Sequence, residues 1–316
     1  MKPELLEMQL RHWHELKGGK ATLINLSENH TFCIDMPDKT KHIIRVHRPN
    51  YQTFAAINSE LMWLEALRSD TELNLITPLA GINNKLVQQL KTEGDNISHA
   101  VRFAFEKGQE ADHEKDEHLF SDLGRFAAIC HNHAQKWETP KGFSRPIWNA
   151  SAILDRDGLW GDWRSAPNVK GEVREVLERL DYRLREQLNE YGTSSKHFGL
   201  IHADMRLANI LRYEGHSRLI DFDDCGFGWF AYDFAAAISF FEDSEKVPFL
   251  KQKWLKAYRK YRKFSNKDEA MMDALIMLRR MALLAWIGSH SETDLAKSLK
   301  KDFAKNSAKM ASKFLI

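Results

Sequence analysis

Short apolar and β-branched runs occupy residues 21–26, 32–36 and 42–46, and Met36-Pro37-Asp38-Lys39 supplies a turn before the third. That pattern predicts an antiparallel meander of three strands. After Pro49-Asn50-Tyr51 the spacing lengthens: Leu61, Trp63, Leu64, Ala66 and Leu67 surround Glu60 and Glu65 as on a helix. Two further strands are predicted at 81–88 and 100–105, the second alternating large apolar residues. Five strands and one helix then form a first lobe, residues 1–105, followed by a polar, glycine-bearing linker at 106–111. From 112 to 316 the pattern is mainly helical. Residues 119–133 read as a buried helix, and 171–191 as an amphipathic one with Val173, Val176, Leu177, Leu180, Leu184, Leu188 and Tyr191 on one face. Residues 158–163 read as a loop, and helices are expected at 234–242, 251–261 and 271–287. The fold class is therefore α+β, with a β-rich and a helical lobe.

A length of 316 residues suits two lobes, and 43% hydrophobic content is enough for substantial cores. Full disorder and small disulfide-stapled scaffolds are excluded. The net charge of +2 provides no basic field to recruit nucleic acid or an anionic membrane. Cys33, Cys130 and Cys225 are odd in number, far apart and without CxxC spacing, which fits reduced thiols rather than a disulfide framework or zinc site. The opening residues carry acids where a secretory signal needs an apolar core, and no run reaches the roughly 18 apolar residues of a membrane span. A soluble cytoplasmic protein is expected.

Candidate chemistry concentrates in Gly199-Leu200-Ile201-His202-Ala203-Asp204-Met205-Arg206-Leu207-Ala208-Asn209 and in Leu219-Ile220-Asp221-Phe222-Asp223-Asp224. An apolar entry delivers Asp204 to a loop, Asn209 follows, and a hairpin turning at Glu214-Gly215-His216 ends at Asp221. Three oxygen-bearing side chains converge at one end of that hairpin. Hard oxygen ligands in this arrangement suit Mg²⁺, which takes one or two carboxylates with substrate phosphates. A nearby carboxylate that binds no metal can accept a proton from an alcohol. His202 reads as a brace for the loop, and Asp233 as a helix cap or loop brace. Cys130-His131-Asn132-His133 reads as a helix end, since helix positions two apart point to different faces. Trp160 and Trp163 read either as an acceptor-pocket wall or as packing. The lysines between 297 and 313 read as the solvated face of a terminal helix.

HADMRLAN and IDFDD together resemble the catalytic and metal-binding loops of the aminoglycoside phosphotransferase and choline kinase family, relatives of the protein kinases. Tyr232-Asp233-Phe234-Ala235 matches a downstream motif of that family. The resemblance covers nearly the whole chain and implies a two-lobed protein-kinase-like fold that binds ATP and Mg²⁺ between its lobes. It implies that Asp204 orients or deprotonates the acceptor hydroxyl, that Arg206 faces the transferring phosphoryl group, and that Asn209, Asp221 and Asp223 hold the metal. Ile43-Ile44-Arg45-Val46 resembles the strand that normally carries an ATP-binding lysine, and Glu60 stands where the family places the cation's acidic partner. Arg45 replaces the lysine; it keeps the charge, but its planar fork is not equivalent to an ammonium. Ser27 and Asn29 fall where phosphates are covered, without the glycine pattern of protein kinases. The implied reaction is γ-phosphoryl transfer from ATP to an alcohol of a small metabolite such as an amino alcohol, a hydroxy amino acid or a sugar. Alternatives are a Ser/Thr protein kinase of the stress-response type, with a protein acceptor, and a catalytically silent nucleotide-binding protein.

Overall fold

The structure is a computed structural model that describes residues 1–26, 29–49, 52–111 and 115–316, with Asp95 described for its backbone alone. Contacts divide the chain into two compact units. The first comprises Met1–Gln109, Thr139–Arg145 and Leu211–Asp223; the second comprises Glu110–Glu138, Pro146–Ile210 and Asp224–Ile316. Two late segments therefore join the first unit, among them the one that carries Asp221 and Asp223.

Among the described residues, the first unit is built on a six-stranded sheet. Lys20–Leu26, Asn29–Asp35, Lys41–His47 and Ile97–Ala104 lie in that order, with Pro78–Leu79 and Val87–Lys91 both paired to Ile97–Ala104. Every pairing is antiparallel. The strand expected over 81–88 is a correction: 81–86 form a turn held by the Gly81 amide on the Lys85 carbonyl, and pairing begins at Val87. Alternation along the strands sets the faces. Ile44 and Val46 join Phe32, Ile34, Leu90 and Ala100 in a core capped by Leu6, Leu10, Trp13 and Leu16 of the amino-terminal turns. Arg45 and His47 consequently point the other way. On that face lies the helix Phe54–Asp70, whose first turn is capped by the Thr53 hydroxyl on the Ala56 amide at 3.1 Å.

In the second unit the helix Phe120–Ala134 packs on Val247–Tyr261 so closely that a Cβ on Gly124 would sit 2.3 Å from the Trp254 carbonyl oxygen. The long helix Asn266–Ser289 starts in a capping box between Ser265 and Asp268 and buries Met272, Met277 and Met281. Gly171–Tyr191 and the terminal helix Phe303–Phe314 pack against it and against each other, with Lys305 and Lys309 exposed. A three-stranded sheet sets Gly226–Trp229 between Ile147–Trp148 and Phe198–Ile201. The helix expected over 234–242 instead runs Tyr232–Ala237, and the left-handed backbone at Phe240 (φ 76°) bars its continuation to 242. Trp163 is fully buried and donates to Asp181, while Trp160 packs edge-on against Trp148, so both rings are part of the packing. The three cysteines are buried free thiols. No described helix is long and apolar enough to cross a membrane.

Candidate active site

The first unit gathers Arg45, Glu60, Asn29, Asp221 and Asp223. Strand alternation puts Arg45 against the helix Phe54–Asp70, where its Nη2 donates to both Glu60 oxygens at 2.7 and 2.6 Å. Both residues are buried, and Arg45 also stacks over Phe103 with 5.3 Å to the ring centroid. Its Nη1 donates to Asp221 Oδ1 at 3.4 Å, and Nη2 lies 3.8 Å from Asp223 Oδ1. Burial opposes the guanidinium charge, but Glu60, Asp223 and Asp221 outweigh it and keep Arg45 protonated.

Asp223 is held from several directions. Its Oδ2 accepts from Asn29 Nδ2 at 2.7 Å, and its carbonyl accepts from Gln52 Nε2 and from Arg145 Nη2. Arg145 Nη1 in turn donates to Gln52 Oε1 and the Ala56 carbonyl. Burial works against the Asp223 charge, but Arg45 and the Asn29 amide hold its carboxyl below the usual range. Beside it, burial drives the His47 imidazole down to about 3, leaving the ring neutral. Asn29 is thus placed beneath Asp223, a role the sequence pattern did not assign. Ser27 lies outside the described residues.

The donors present fit a divalent cation. Asp221 takes a left-handed backbone (φ 60°) that turns out its carboxylate, 46% exposed, and Asp223 Oδ1 has no hydrogen-bond partner among the described residues. Two carboxylates without a cage of three or more His, Cys, Asp or Glu among the described residues match a metal that keeps water and substrate oxygens as ligands.

The second unit gathers Asp204, Arg206 and Asn209. The strand Phe198–Ile201 runs into a loop whose backbone is pinned by Asp233, fully buried at the start of Tyr232–Ala237. Asp233 Oδ2 accepts from the His202 amide at 3.2 Å, and Oδ1 accepts from the Ala203 amide at 2.7 Å. His131 Nε2 lies 3.0 Å from the same carboxylate, with Nδ1 2.9 Å from the Tyr258 hydroxyl. A carboxylate only accepts, so Nε2 carries the proton and Nδ1 accepts from Tyr258. These bonds support Ala203 in a left-handed conformation (φ 64°), which aims the next residue, Asp204.

Asp204 is itself saturated with donors. Asn209 Nδ2 reaches Oδ2 at 2.9 Å and Arg206 Nε reaches it at 3.1 Å, while Arg279 Nη2 takes Oδ1 at 2.8 Å. Burial works against its charge, and Arg206 and Arg279 outweigh that, holding the carboxyl below the usual range. Asn209 commits its amide nitrogen to Asp204, which leaves its amide oxygen as the atom able to face a cation. Arg206, 30% exposed, lies over the Phe240 ring.

Sequence reasoning missed Arg279, Arg145, Gln52 and His47, and treated His131 only as part of a helix end. Arg279 left one signal: Arg279-Arg280 interrupts the apolar run from Ala274 to Ile287, and a charge in such a run needs a buried partner.

Known proteins resemble this chain in sequence and in fold. Amicoumacin kinase of Bacillus subtilis (strain 168) is 26% identical over 212 residues, 66% of this chain and 59% of that protein. The chain thus spans less than two thirds of that relative. A structure of a microcompartment-associated aminopropanol kinase is 34% identical, with a TM-score of 0.91 over 99% of this chain and 98% of that one. The structure of amicoumacin kinase hAmiN in complex with AMP-PNP, Ca²⁺ and Ami, 17% identical, shares the fold with a TM-score of 0.77 over 97% of this chain and 92% of that one. These neighbours bear out the protein-kinase-like α+β fold and the resemblance carried by HADMRLAN and IDFDD. The model of the phosphotransferase enzyme family matches residues 22–269, a span that takes in both residue clusters and most of the sequence, and the chain belongs to that family.

Proposed function

We propose that the chain transfers the γ-phosphoryl group of ATP to the hydroxyl of a small amino alcohol, with Mg²⁺ as the divalent ion. The observation that carries transfer, rather than silent nucleotide binding, is the seat of Asp204: a half-buried carboxylate gripped by three side-chain donors is costly to assemble and serves no packing purpose. The amino alcohol is supported by the similarity to the aminopropanol kinase over nearly the whole length of both chains.

In this reading the acceptor hydroxyl meets Asp204. A bond forms from its oxygen to the γ-phosphorus, the bond from that phosphorus to the β–γ bridging oxygen breaks, ADP departs, and the hydroxyl proton passes to the Asp204 carboxylate. Little covalent chemistry falls to the protein, so its contribution is positioning and charge. Arg206 faces the transferring group, and Arg45, set by Glu60, carries charge for the α- and β-phosphates. Asp221 and Asp223 would supply oxygen ligands for the divalent ion, which when bound would neutralise phosphate charge.

The test is Mg²⁺-dependent ADP release across amino alcohols, hydroxy amino acids, sugars, aminoglycosides and a generic protein acceptor, with wild type and Asp204→Asn side by side. Stimulation by an amino alcohol that falls by about 10²–10⁴-fold in the variant is expected. Stimulation confined to another acceptor class overturns the acceptor, and wild-type turnover in Asp204→Asn overturns the mechanism.

A further inference from the structure

Arg279 sits in the helix Asn266–Ser289 and is 1% exposed. Its three donor nitrogens serve three different atoms: Nη2 donates to Asp204 Oδ1 at 2.8 Å, Nη1 to the Ala203 carbonyl at 3.2 Å, and Nε to the Ser239 hydroxyl at 2.9 Å. The guanidinium carbon lies over the Trp160 and Tyr232 rings, 5.0 and 5.8 Å from their centroids. Burying an unpaired guanidinium costs several kcal/mol, so the group is retained only where its fork is fully used. Here the fork grips both the side chain of Asp204 and the backbone just before it.

The two oxygens of Asp204 are therefore not equivalent. Oδ1 is held by a buried group that cannot move without breaking three bonds and two ring contacts. Oδ2 is held by Asn209 and by Arg206, whose side chain is 30% exposed. We infer that Arg279 is a positioning residue for the transfer reaction: it locks Oδ1 and the left-handed backbone of Ala203, so that Oδ2 is the oxygen presented to the acceptor hydroxyl once Arg206 turns away from it. The inference rests on Asp204 receiving that hydroxyl, as proposed above. It adds a residue that touches neither nucleotide nor acceptor and acts only through Asp204.

A merely structural anchor and a positioning residue differ in what they change. Arg279→Lys keeps the charge but cannot reproduce the fork, and Arg279→Met removes both. Positioning predicts that kcat falls by about 10²-fold in Arg279→Met, the scale of an ångström-sized misplacement, with a smaller loss in Arg279→Lys. The KM for ATP should stay within about threefold of wild type, because the effect is on orientation rather than uniform binding. The decisive measurement is the double-mutant cycle with Asp204→Asn. A residue that works only through Asp204 has almost no further effect once that carboxylate is gone, so Arg279→Met and Arg279→Lys should each change kcat less than about threefold in the Asp204→Asn background. Effects that multiply independently of Asp204, or a raised KM for ATP with kcat unchanged, overturn the inference. Should Arg279→Met fail to fold, the cycle is read from Arg279→Lys alone. Slow ATP hydrolysis with water as acceptor supplies a second readout of the same cycle. If no amino alcohol stimulates wild type, the acceptor assignment fails, while the coupling between Arg279 and Asp204 is still decided from hydrolysis.

Discussion

Asp233 offers the sharpest link between stability and activity in this chain. It is fully buried and receives three donors, the His202 and Ala203 amides and His131 Nε2, at 3.2, 2.7 and 3.0 Å. Asp233→Ala strands all three. Each orphaned buried donor costs about 1–3 kcal/mol, and water admitted to the new space recovers part of it, so a net loss of about 3–6 kcal/mol is expected. At roughly 2–4 °C per kcal/mol for chains of this order of size, the midpoint of thermal unfolding should fall by about 6–24 °C. Asp233→Asn keeps one amide oxygen to accept from Ala203 but turns a donor toward its neighbours, so it should lose about half as much. The same bonds support the left-handed Ala203 that aims Asp204, so kcat measured well below the melting temperature should drop by about 10²-fold in Asp233→Ala. Differential scanning fluorimetry and steady-state ADP release report the two effects separately. An Asp233→Ala protein that melts within about 2 °C of wild type, or that melts early yet turns over normally when folded, would refute the assignment of this carboxylate as the brace of the catalytic loop.

Three other expectations follow from the same structure. Glu60→Gln leaves Arg45 buried without its main counter-charge and should cost about 3–5 kcal/mol by urea unfolding, with a raised KM for ATP; an unchanged unfolding midpoint would count against the pair. Burial holds the His131 imidazole below its ordinary range, with Asp233 pulling the other way. The unfolded chain takes up a proton on this residue as pH falls below about 6.5 and the folded chain does so only at lower pH, so stability is lost on acidification through that window. The decline should be shallower in His131→Gln, read from melting temperature against pH, and an identical slope would exclude this contribution. Gly124→Ala places a Cβ against the Trp254 carbonyl and should destabilise by about 1–3 kcal/mol, since two helix backbones must part; a neutral result in thermal unfolding would mean that they separate freely.

Which parts of this site were readable in sequence follows from how far apart the cooperating residues lie. Asp204, Arg206 and Asn209 lie within one short loop, and Arg45 and Glu60 lie on a strand and the following helix, so the family resemblance of these two stretches is enough to point to them. Strand alternation likewise exposes the faces of the sheet, although at 81–86 the expected strand overrides a turn signal that Asn83-Asn84 carries, Asn84 being left-handed (φ 58°). The supporting groups obey no local rule. Arg145 reaches Asp223 across 78 positions, and Arg279 reaches Asp204 across 75, because helices and loops remote in sequence pack their ends together. A motif therefore names the groups proposed to meet the reactants, whereas the charges that fix those groups are set by packing and can come from any segment that arrives. That division has a chemical cause. In the proposed function the reacting carboxylate must face a defined substrate geometry and so sits at a fixed place in its loop, but a guanidinium that steadies it needs only a dry site and three acceptors, as Arg279 has in Asp204, Ala203 and Ser239.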